Sequence, residues 1–250
     1  MKKLYQKNEL SFALLWIGLY VVVMNIGMQV MGGMDGLAQK TLLQLAVPTA
    51  LALVLAVWST AWIVRNGLCK KYGLCRFEGK YSRFLYFVPL LLISLTNVKN
   101  GLGLSASLAQ SLLMMAQMML AAYVEEVIFR GFLFRAMEKS GLRPAIWVSG
   151  ITFGAGHIVN LANTADTLGV LLQVCYAIAI GLLFTVIVYK GKSLWPVVVS
   201  HMLVNGSSVF ARADGPFTTL MGGTAAAQVV SAVVLMVVSG AYALWLWKKA

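Results

Sequence analysis

The residues that could do chemistry stand inside apolar sequence. Residues 112–134 are predominantly apolar, yet they contain Glu125, Glu126 and Arg130. A charged side chain at the centre of a membrane helix costs roughly 2.5–3.5 kcal/mol, whereas a leucine returns only about 0.3–0.6 kcal/mol. Glutamate at position i and arginine at i+4 share one helix face, so the spacing predicts an ion pair between Glu126 and Arg130. Glu125 points about 100° away and needs another partner.

The only two histidines of the chain, His157 and His201, also lie inside apolar segments. Phe153 precedes His157 by four residues, and Asn205 follows His201 by four, so each pair shares a helix face. At 1.5 Å per residue, Glu125, His157 and His201 lie about 12–20 Å from the nearest basic loops. We therefore expect the three helices to bring these polar groups together at overlapping depths.

This set of groups favours hydrolysis by an activated water. A carboxylate in an apolar site beside a second carboxylate suits a general base, and an imidazole with a carboxamide can donate to an oxyanion. Glu125, His157 and His201 could alternatively bind one divalent metal such as zinc, leaving a position open for water. The sequence leaves both the metal and the metal-free alternatives open. It contains neither a His-Glu-x-x-His nor a Gly-x-Ser-x-Gly motif.

Three segments resemble the signatures of the CPBP intramembrane proteases, also called the Abi or CAAX-protease family. Residues 125–133 are similar to the first signature, E-E-x-x-x-R, with Phe before the arginine and Gly after it. Residues 153–157 resemble the second, F-x-x-x-H, and residues 201–205 resemble the third, H-x-x-x-N. The Ser-Leu-Trp-Pro run at 193–196 is also typical of the family. The resemblance covers 125–205 and not the rest of the chain.

The resemblance implies about eight helices around a cavity that opens to the cytosol and the membrane. The roles that it implies are water activation for Glu125 and His157, an oxyanion site for His201 and Asn205, and support of the geometry by Glu126, Arg130 and Phe153. The family is described both as metalloproteases and as metal-independent glutamate proteases. Eukaryotic relatives remove the last three residues of prenylated CAAX proteins, while many bacterial members serve peptide maturation, bacteriocin immunity or sensor regulation.

The composition indicates a multi-span membrane protein with one all-α transmembrane domain over 1–250 and a catalytic core over 105–210. The chain is 60% hydrophobic and 11% charged, against about 25% charged residues in a typical soluble domain. Several apolar runs are long enough to span a bilayer. We predict eight apolar spans, at 11–31, 41–64, 84–98, 105–134, 144–163, 167–189, 193–210 and 225–247.

The basic residues predict the orientation. Of the 20 Lys and Arg residues, all except Lys40, Lys99, Arg212 and the intramembrane Arg130 fall in the N-terminal segment, in alternate loops or at the C-terminus. The positive-inside rule then places both termini in the cytoplasm. Together with the family resemblance, which implies a cavity open to the cytosol, this leads us to expect a bacterial plasma membrane protein with its active-site cavity toward the cytosol. The net charge of +12 is thereby explained by topology and anionic lipid, so no nucleic acid is expected as a partner.

The predicted function is an intramembrane endopeptidase that acts on a membrane-associated protein or peptide. The first alternative is a non-proteolytic scaffold, a bacteriocin self-immunity factor or a sensor-regulating protein of the same family, with a sensor kinase or a peptide-export system as partner. The second is a proton-coupled transporter, since intramembrane acids and histidines also form proton relays. The chain shows no paired broken helices or internal repeats, which disfavours the transporter.

Overall fold

The computed structural model describes residues 1–78 and 88–248, and in these residues the fold is helical throughout. The side chains of residues 88 and 89 are outside the description. The helices are α1 Lys2–Lys7, α2 Glu9–Met31, α3 Leu42–Arg65, α4 Val88–Ser94, α5 Leu108–Glu138, α6 Leu142–Ala162, α7 Thr167–Gly191, α8 Trp195–Ser208, α9 Pro216–Leu220 and α10 Thr224–Lys248. Short 3₁₀ turns lie at Leu37–Gln39 and Thr96–Val98. The predicted all-α class is confirmed for this part of the chain.

Six of these helices, α2, α3, α5, α6, α7 and α10, are long and apolar enough to cross a membrane. The other two predicted spans form shorter helices. The segment at 193–210 becomes the 14-residue helix α8, and the segment at 84–98 contributes the 7-residue helix α4, with residues 84–87 outside the described residues. The count of eight spans and the cytoplasmic placement of the termini stay predictions. Lys80, Arg83 and Lys249, which entered the orientation argument, also lie outside the described residues.

The outer faces of the long helices are apolar. Val22 on α2, Val57 on α3 and Leu244 on α10 are each more than half exposed in the isolated chain. An exposed apolar surface of this extent is unfavourable in water and favourable in contact with lipid chains. Together with the helix lengths, it indicates a multi-pass membrane protein.

Polar side chains fix where the long helices begin. Thr41 and Gln44 form a capping box at the start of α3, and Ser107 and Gln110 form a second one at the start of α5. In each, a hydroxyl accepts from a free backbone N–H while the glutamine side chain accepts from the capping N–H. Such groups must be satisfied locally where a helix enters a membrane, so the polar boundaries set the register of α3 and α5.

The bundle has two chemically different ends. At the basic end, Glu9 at the start of α2 accepts hydrogen bonds from Lys71, in the loop after α3, and from Lys139, just after α5, both at 2.7 Å. At the opposite end, the backbone N–H of Met34 donates to the carbonyl of Asn163 at 2.7 Å. The basic end therefore gathers the basic loops, while the opposite end joins the turns after α2 and α6.

The two short helices α4 and α8 pack against each other. The Ser200 hydroxyl of α8 donates to the Leu90 carbonyl of α4 at 3.1 Å, and Asn97 donates from Nδ2 to the Val204 carbonyl at 2.7 Å. These bonds tie α8 to α4 on one side of His201 and to the 3₁₀ turn after α4 on the other. They therefore fix the helix that carries His201 and Asn205.

Glycines allow α6 and α7 to approach closely. Gly150 and Gly154 form a small-xxx-small pair of the kind that lets membrane helices pack backbone to backbone. A Cβ atom at Gly154 would lie 2.6 Å from the backbone nitrogen of Ile178. Because Phe153 and His157 lie on the same helix, this close packing also positions the second motif.

We expect Gly154→Ala to destabilise the protein by about 1–3 kcal/mol, since the added methyl group must push α6 and α7 apart. The matched control is Gly156→Ala on the same helix, where a Cβ would meet nothing within 4 Å. Thermal unfolding in detergent should give a lower Tm for Gly154→Ala and little change for Gly156→Ala. Equal Tm values for the two variants would contradict this account of the helix packing.

Candidate active site

The first motif lies where α5 changes its winding. The α-helical part of α5 ends at Glu126, and Val127–Leu133 forms a wider π-helical segment whose seven residues are all buried. The hydroxyl of Ser149 on α6 donates to the carbonyl of Phe129 inside that segment at 2.9 Å. Backbone groups within a membrane need protein partners, and π-helical turns often lie at functional sites. The irregular turn directly follows the two glutamates.

One oxygen of Glu126 binds two helices together. Glu126 is fully buried, and its Oε1 accepts from Arg130 Nη1 at 3.0 Å and lies 2.8 Å from Nδ1 of His201 on α8. The predicted Glu126–Arg130 pair is therefore confirmed. The sequence did not predict that the same carboxylate would hold His201.

The Arg130 guanidinium lies against aromatic rings. Its central carbon is 4.0 Å from the centre of the Phe153 ring and 5.6 Å from the centre of the Phe184 ring. Its Nε and Nη2 atoms have no hydrogen-bond partner among the described residues. A cation over an aromatic face is attracted to it, most strongly when water is absent. Phe153 thus supports Arg130, and it also packs edge-on against His157 and His201, with ring centres 5.1 and 5.7 Å apart.

Glu125 points to the other side of α5, as its spacing predicted, and its partners come from two other helices. Its Oε1 accepts a hydrogen bond from the Tyr20 hydroxyl of α2 at 2.5 Å. Its Oε2 lies 3.5 Å from Nε2 of His201 and makes no hydrogen bond to any residue that the structure describes. Tyr20 stands 105 residues before Glu125. Nothing distinguishes it from other tyrosines of apolar helices, so sequence reasoning could not find it.

Glu125, His157 and Asn205 line one cavity of about 270 Å³. His157 and Asn205 make no side-chain hydrogen bond to any described residue, so their polar atoms are free to bind a ligand. His201 and Glu126 lie behind this surface and do not line the cavity. The structure thus brings the predicted residues together but divides them into a cavity-lining set and a supporting set.

The cavity extends from Glu125 toward the opposite end of the bundle. Its wall runs along α2 from Tyr20 to Met28, continues to Met34, and along α6 it reaches Asn163. The sequence placed both the basic end and the cavity on the cytosolic side. These two expectations are incompatible for this cavity, because it leads away from the basic end.

The described residues contain no group of three His, Cys, Asp or Glu side chains arranged to hold a metal ion. Only Glu125 and His201 of the predicted ligand set meet, at 3.5 Å, and His201 is already held by Glu126. The residues as arranged do not fit the zinc site considered from the sequence.

Residues 107–207 match the profile of the family described as type II CAAX prenyl endopeptidase Rce1-like. The match supports an assignment of the chain to the CAAX-protease family. The matched segment contains all the motif residues from Glu125 to Asn205, whereas Tyr20 lies outside it. Because the family is one of proteases, the match supports an endopeptidase embedded in the membrane. No curated protein matches the chain.

Glu126→Gln should destabilise the protein by about 3–5 kcal/mol, because it leaves the buried Arg130 charge without its carboxylate. The matched control is Glu138→Gln, which breaks the Arg135–Glu138 pair at the basic end, where the Glu138 side chain is 30% exposed. Because this carboxylate is partly exposed to solvent, its loss should cost less than the loss of the fully buried Glu126 carboxylate. Thermal unfolding in detergent measures both variants.

The double variant Glu126→Leu with Arg130→Met removes both charges and should recover part of the lost stability. It also keeps the test decisive if the single variant does not fold. A Glu126→Gln protein as stable as the Glu138→Gln protein would contradict the supporting role of Glu126.

Proposed function

We propose that the chain is an intramembrane endopeptidase that hydrolyses a membrane-associated protein or peptide by means of a water activated at Glu125. One observation carries the proposal. Glu125 lines one cavity together with His157 and Asn205, and its Oε2 has no hydrogen-bond partner among the described residues. Peptide hydrolysis requires a base, a second polar group that holds the water and an amide that donates to the oxyanion.

In the proposed reaction, a water lies between Glu125 and His157. As its oxygen bonds to the carbonyl carbon of the peptide, its proton moves to Oε2 of Glu125. The carbonyl oxygen becomes an oxyanion and accepts a hydrogen bond from Nδ2 of Asn205. Glu125 then gives its proton to the peptide nitrogen, the carbon–nitrogen bond breaks, and a carboxyl group and an amine leave the site.

The contacts of His201 restrict how it can take part in this reaction. Nδ1 faces a carboxylate oxygen of Glu126, which only accepts hydrogen bonds while it is ionised, so Nδ1 carries the ring proton. Nε2, on the side of Glu125, can then donate only when the ring is doubly protonated. We therefore assign the oxyanion primarily to Asn205, and to His201 the joining of α8 to α5 through Glu126.

A cleavage assay tests this function. Purified protein in detergent is incubated with a library of membrane-associated peptides, with and without a chelator, and the products are identified by mass spectrometry. Glu125→Ala and His157→Ala should each lower cleavage by a factor of at least about 10², the usual effect of losing an acid–base group. Loss of wild-type activity in the chelator arm would add a metal to the account.

The same variants separate the protease from a scaffold. If neither wild type nor variants cleave any peptide, and both variants restore the phenotype of a deletion strain, the protease proposal fails. A sensor-regulating or immunity role without proteolysis would then describe the chain better.

Tyr20→Phe should lower kcat by about tenfold, because it removes the one hydrogen bond that fixes the Glu125 carboxylate, worth about 1–1.5 kcal/mol. The matched control is Tyr123→Phe on α5. The Tyr123 hydroxyl bonds Thr60 at 2.6 Å and does not line the cavity. Steady-state kinetics on one cleaved peptide measures the effect, and equal kcat values for both variants would remove Tyr20 from the mechanism.

A further inference from the structure

The wall of the cavity beyond Glu125 is rich in carboxamides. Its lining includes the amide side chains of Asn25, Asn97, Gln117, Asn160, Asn163, Gln173 and Asn205. Lysine, arginine and aspartate are absent from the described lining, and Glu125 is its one carboxylate. A carboxamide both donates and accepts hydrogen bonds, as a peptide group does. Four of these amides already bond to protein groups, namely those of Asn97, Asn160, Asn163 and Gln173. The amides of Asn25, Gln117 and Asn205 remain to offer the backbone of an unfolded peptide the partners that a membrane interior lacks.

Gln117 is the strongest sign that this wall binds a ligand. Its side chain is 1% exposed and lines the cavity, and its Oε1 has no hydrogen-bond partner among the described residues. A buried unpaired amide oxygen costs about 1–3 kcal/mol, so a folded protein keeps one only where something else compensates. A donor on a bound ligand would supply that compensation.

The position of Gln117 fits a peptide that reacts at Glu125. Gln117, Ala121 and Glu125 lie at successive i, i+4 positions of α5, and all three line the cavity. Eight residues of α-helix span about 12 Å. An extended peptide covers this distance with about three to four residues at 3.3 Å each. A backbone N–H three or four residues from the cleaved bond can therefore reach Gln117.

Methionines form much of the remaining surface, through Met24, Met28, Met34 and Met118. The flexible, polarizable methionine side chain packs against apolar groups of different shapes and is common at surfaces that bind varied peptides. The amides thus suit the backbone of a peptide, and the methionines suit its apolar side chains.

The cavity continues toward the opposite end of the bundle. A second cavity of about 370 Å³ shares Asn97, Asn160, Gln173 and Tyr176 with the first and extends to Asp166 at the start of α7. Asp166 belongs to the opposite end, away from Lys71 and Lys139. The described path from Glu125 to water therefore leads away from the basic loops.

We propose that this amide-lined cavity is a binding cleft for an extended peptide segment with apolar side chains, which enters from the side of the membrane opposite the basic loops. Gln117 binds its backbone three or four residues from the cleaved bond. The proposal rests on the proposed endopeptidase function, because it takes the bound peptide to be the substrate. It adds the substrate's conformation and its side of access, which by the positive-inside rule is the non-cytoplasmic side.

Cysteine labelling tests the side of access without any cleavage. Cys69, Cys75 and Cys175 are free and are first replaced by serine. Single cysteines are then placed at the cavity (Gln173→Cys), at the exposed basic end (Ser140→Cys) and at the exposed opposite end (Ala225→Cys). A membrane-impermeant maleimide is applied to intact spheroplasts and to permeabilised ones.

We expect Gln173→Cys and Ala225→Cys to react in intact spheroplasts, and Ser140→Cys to react only after permeabilisation. The proposal is overturned if Gln173→Cys reacts only after permeabilisation. It is also overturned if Ser140→Cys reacts in intact spheroplasts and Ala225→Cys does not. A Gln173→Cys protein that reacts only once denatured would mean that no aqueous path reaches the cavity, which equally overturns it.

Gln117→Met tests the backbone contact with a fluorogenic peptide that the wild type cleaves. Losing one hydrogen bond should raise KM about tenfold and leave kcat unchanged, because the contact is remote from the reacting atoms. Shortened peptides that no longer reach Gln117, truncated from one side of the cleaved bond, should show no difference between variant and wild type. If the variant cleaves peptides of every length less well than the wild type and by the same factor, the defect is structural, and the role of Gln117 is overturned.

The two failures can be told apart. If no peptide is cleaved at all, the proposed function fails, while the labelling pattern still reports the access route. If cleavage occurs but Gln173→Cys is reached only from the basic side, the function stands and the access route is wrong.

Discussion

The structure depends on one buried oxygen, Oε1 of Glu126, which binds Arg130 within α5 and His201 on α8. Placing a carboxylate at this depth is costly unless its charge is compensated by close partners. The compensation comes from two of the family motifs at once, since Arg130 belongs to the first and His201 to the third. Arg130 in turn lies on the ring of Phe153, which begins the second. The ion pair thus joins α5, α6 and α8 into one unit.

The two adjacent glutamates have different roles in this arrangement. Successive residues of a helix differ by about 100°, so Glu126 can face the packed interior while Glu125 faces the cavity. Glu126 uses one oxygen for two partners and is closed to solvent. Glu125 lines the cavity, keeps one oxygen without a partner among the described residues and is oriented by Tyr20 from a distant helix. The pair combines a structural anion with a reactive one, and the π-helical turn follows directly after it.

The sequence predicted those features that follow from local spacing. The Glu126–Arg130 pair, the shared faces of Phe153 with His157 and the helical class all depend on helix periodicity, which is fixed by covalent geometry. The contacts of Glu125 with Tyr20 and of Glu126 with His201 depend on how helices cross, which no spacing within one helix encodes. Gln117 carries no motif, and only its burial without a partner distinguishes it.

The direction of the cavity was also beyond the sequence. Counting residues from the basic loops gives the depth of a residue along its helix. That depth is the same whichever end the cavity opens toward, so it could not predict the direction of the cavity. The shorter helix α8 and its contacts with α4 likewise arise from tertiary packing, since both segments are apolar enough to resemble full spans. Periodicity locates the reactive groups, and packing decides which of them meet the cavity.

The most direct measurement of this division of roles compares Glu125→Gln and Glu126→Gln for both Tm and cleavage rate in the same detergent. Glu125→Gln should keep a Tm close to that of the wild type and lose cleavage, because its amide oxygen can still accept from Tyr20 and the change leaves no buried arginine without a carboxylate. The Glu126→Gln protein should have a lower Tm, and its cleavage rate should fall because the geometry of the site is lost. A Glu125→Gln protein that still cleaves, or a Glu126→Gln protein that loses cleavage at an unchanged Tm, would contradict the account.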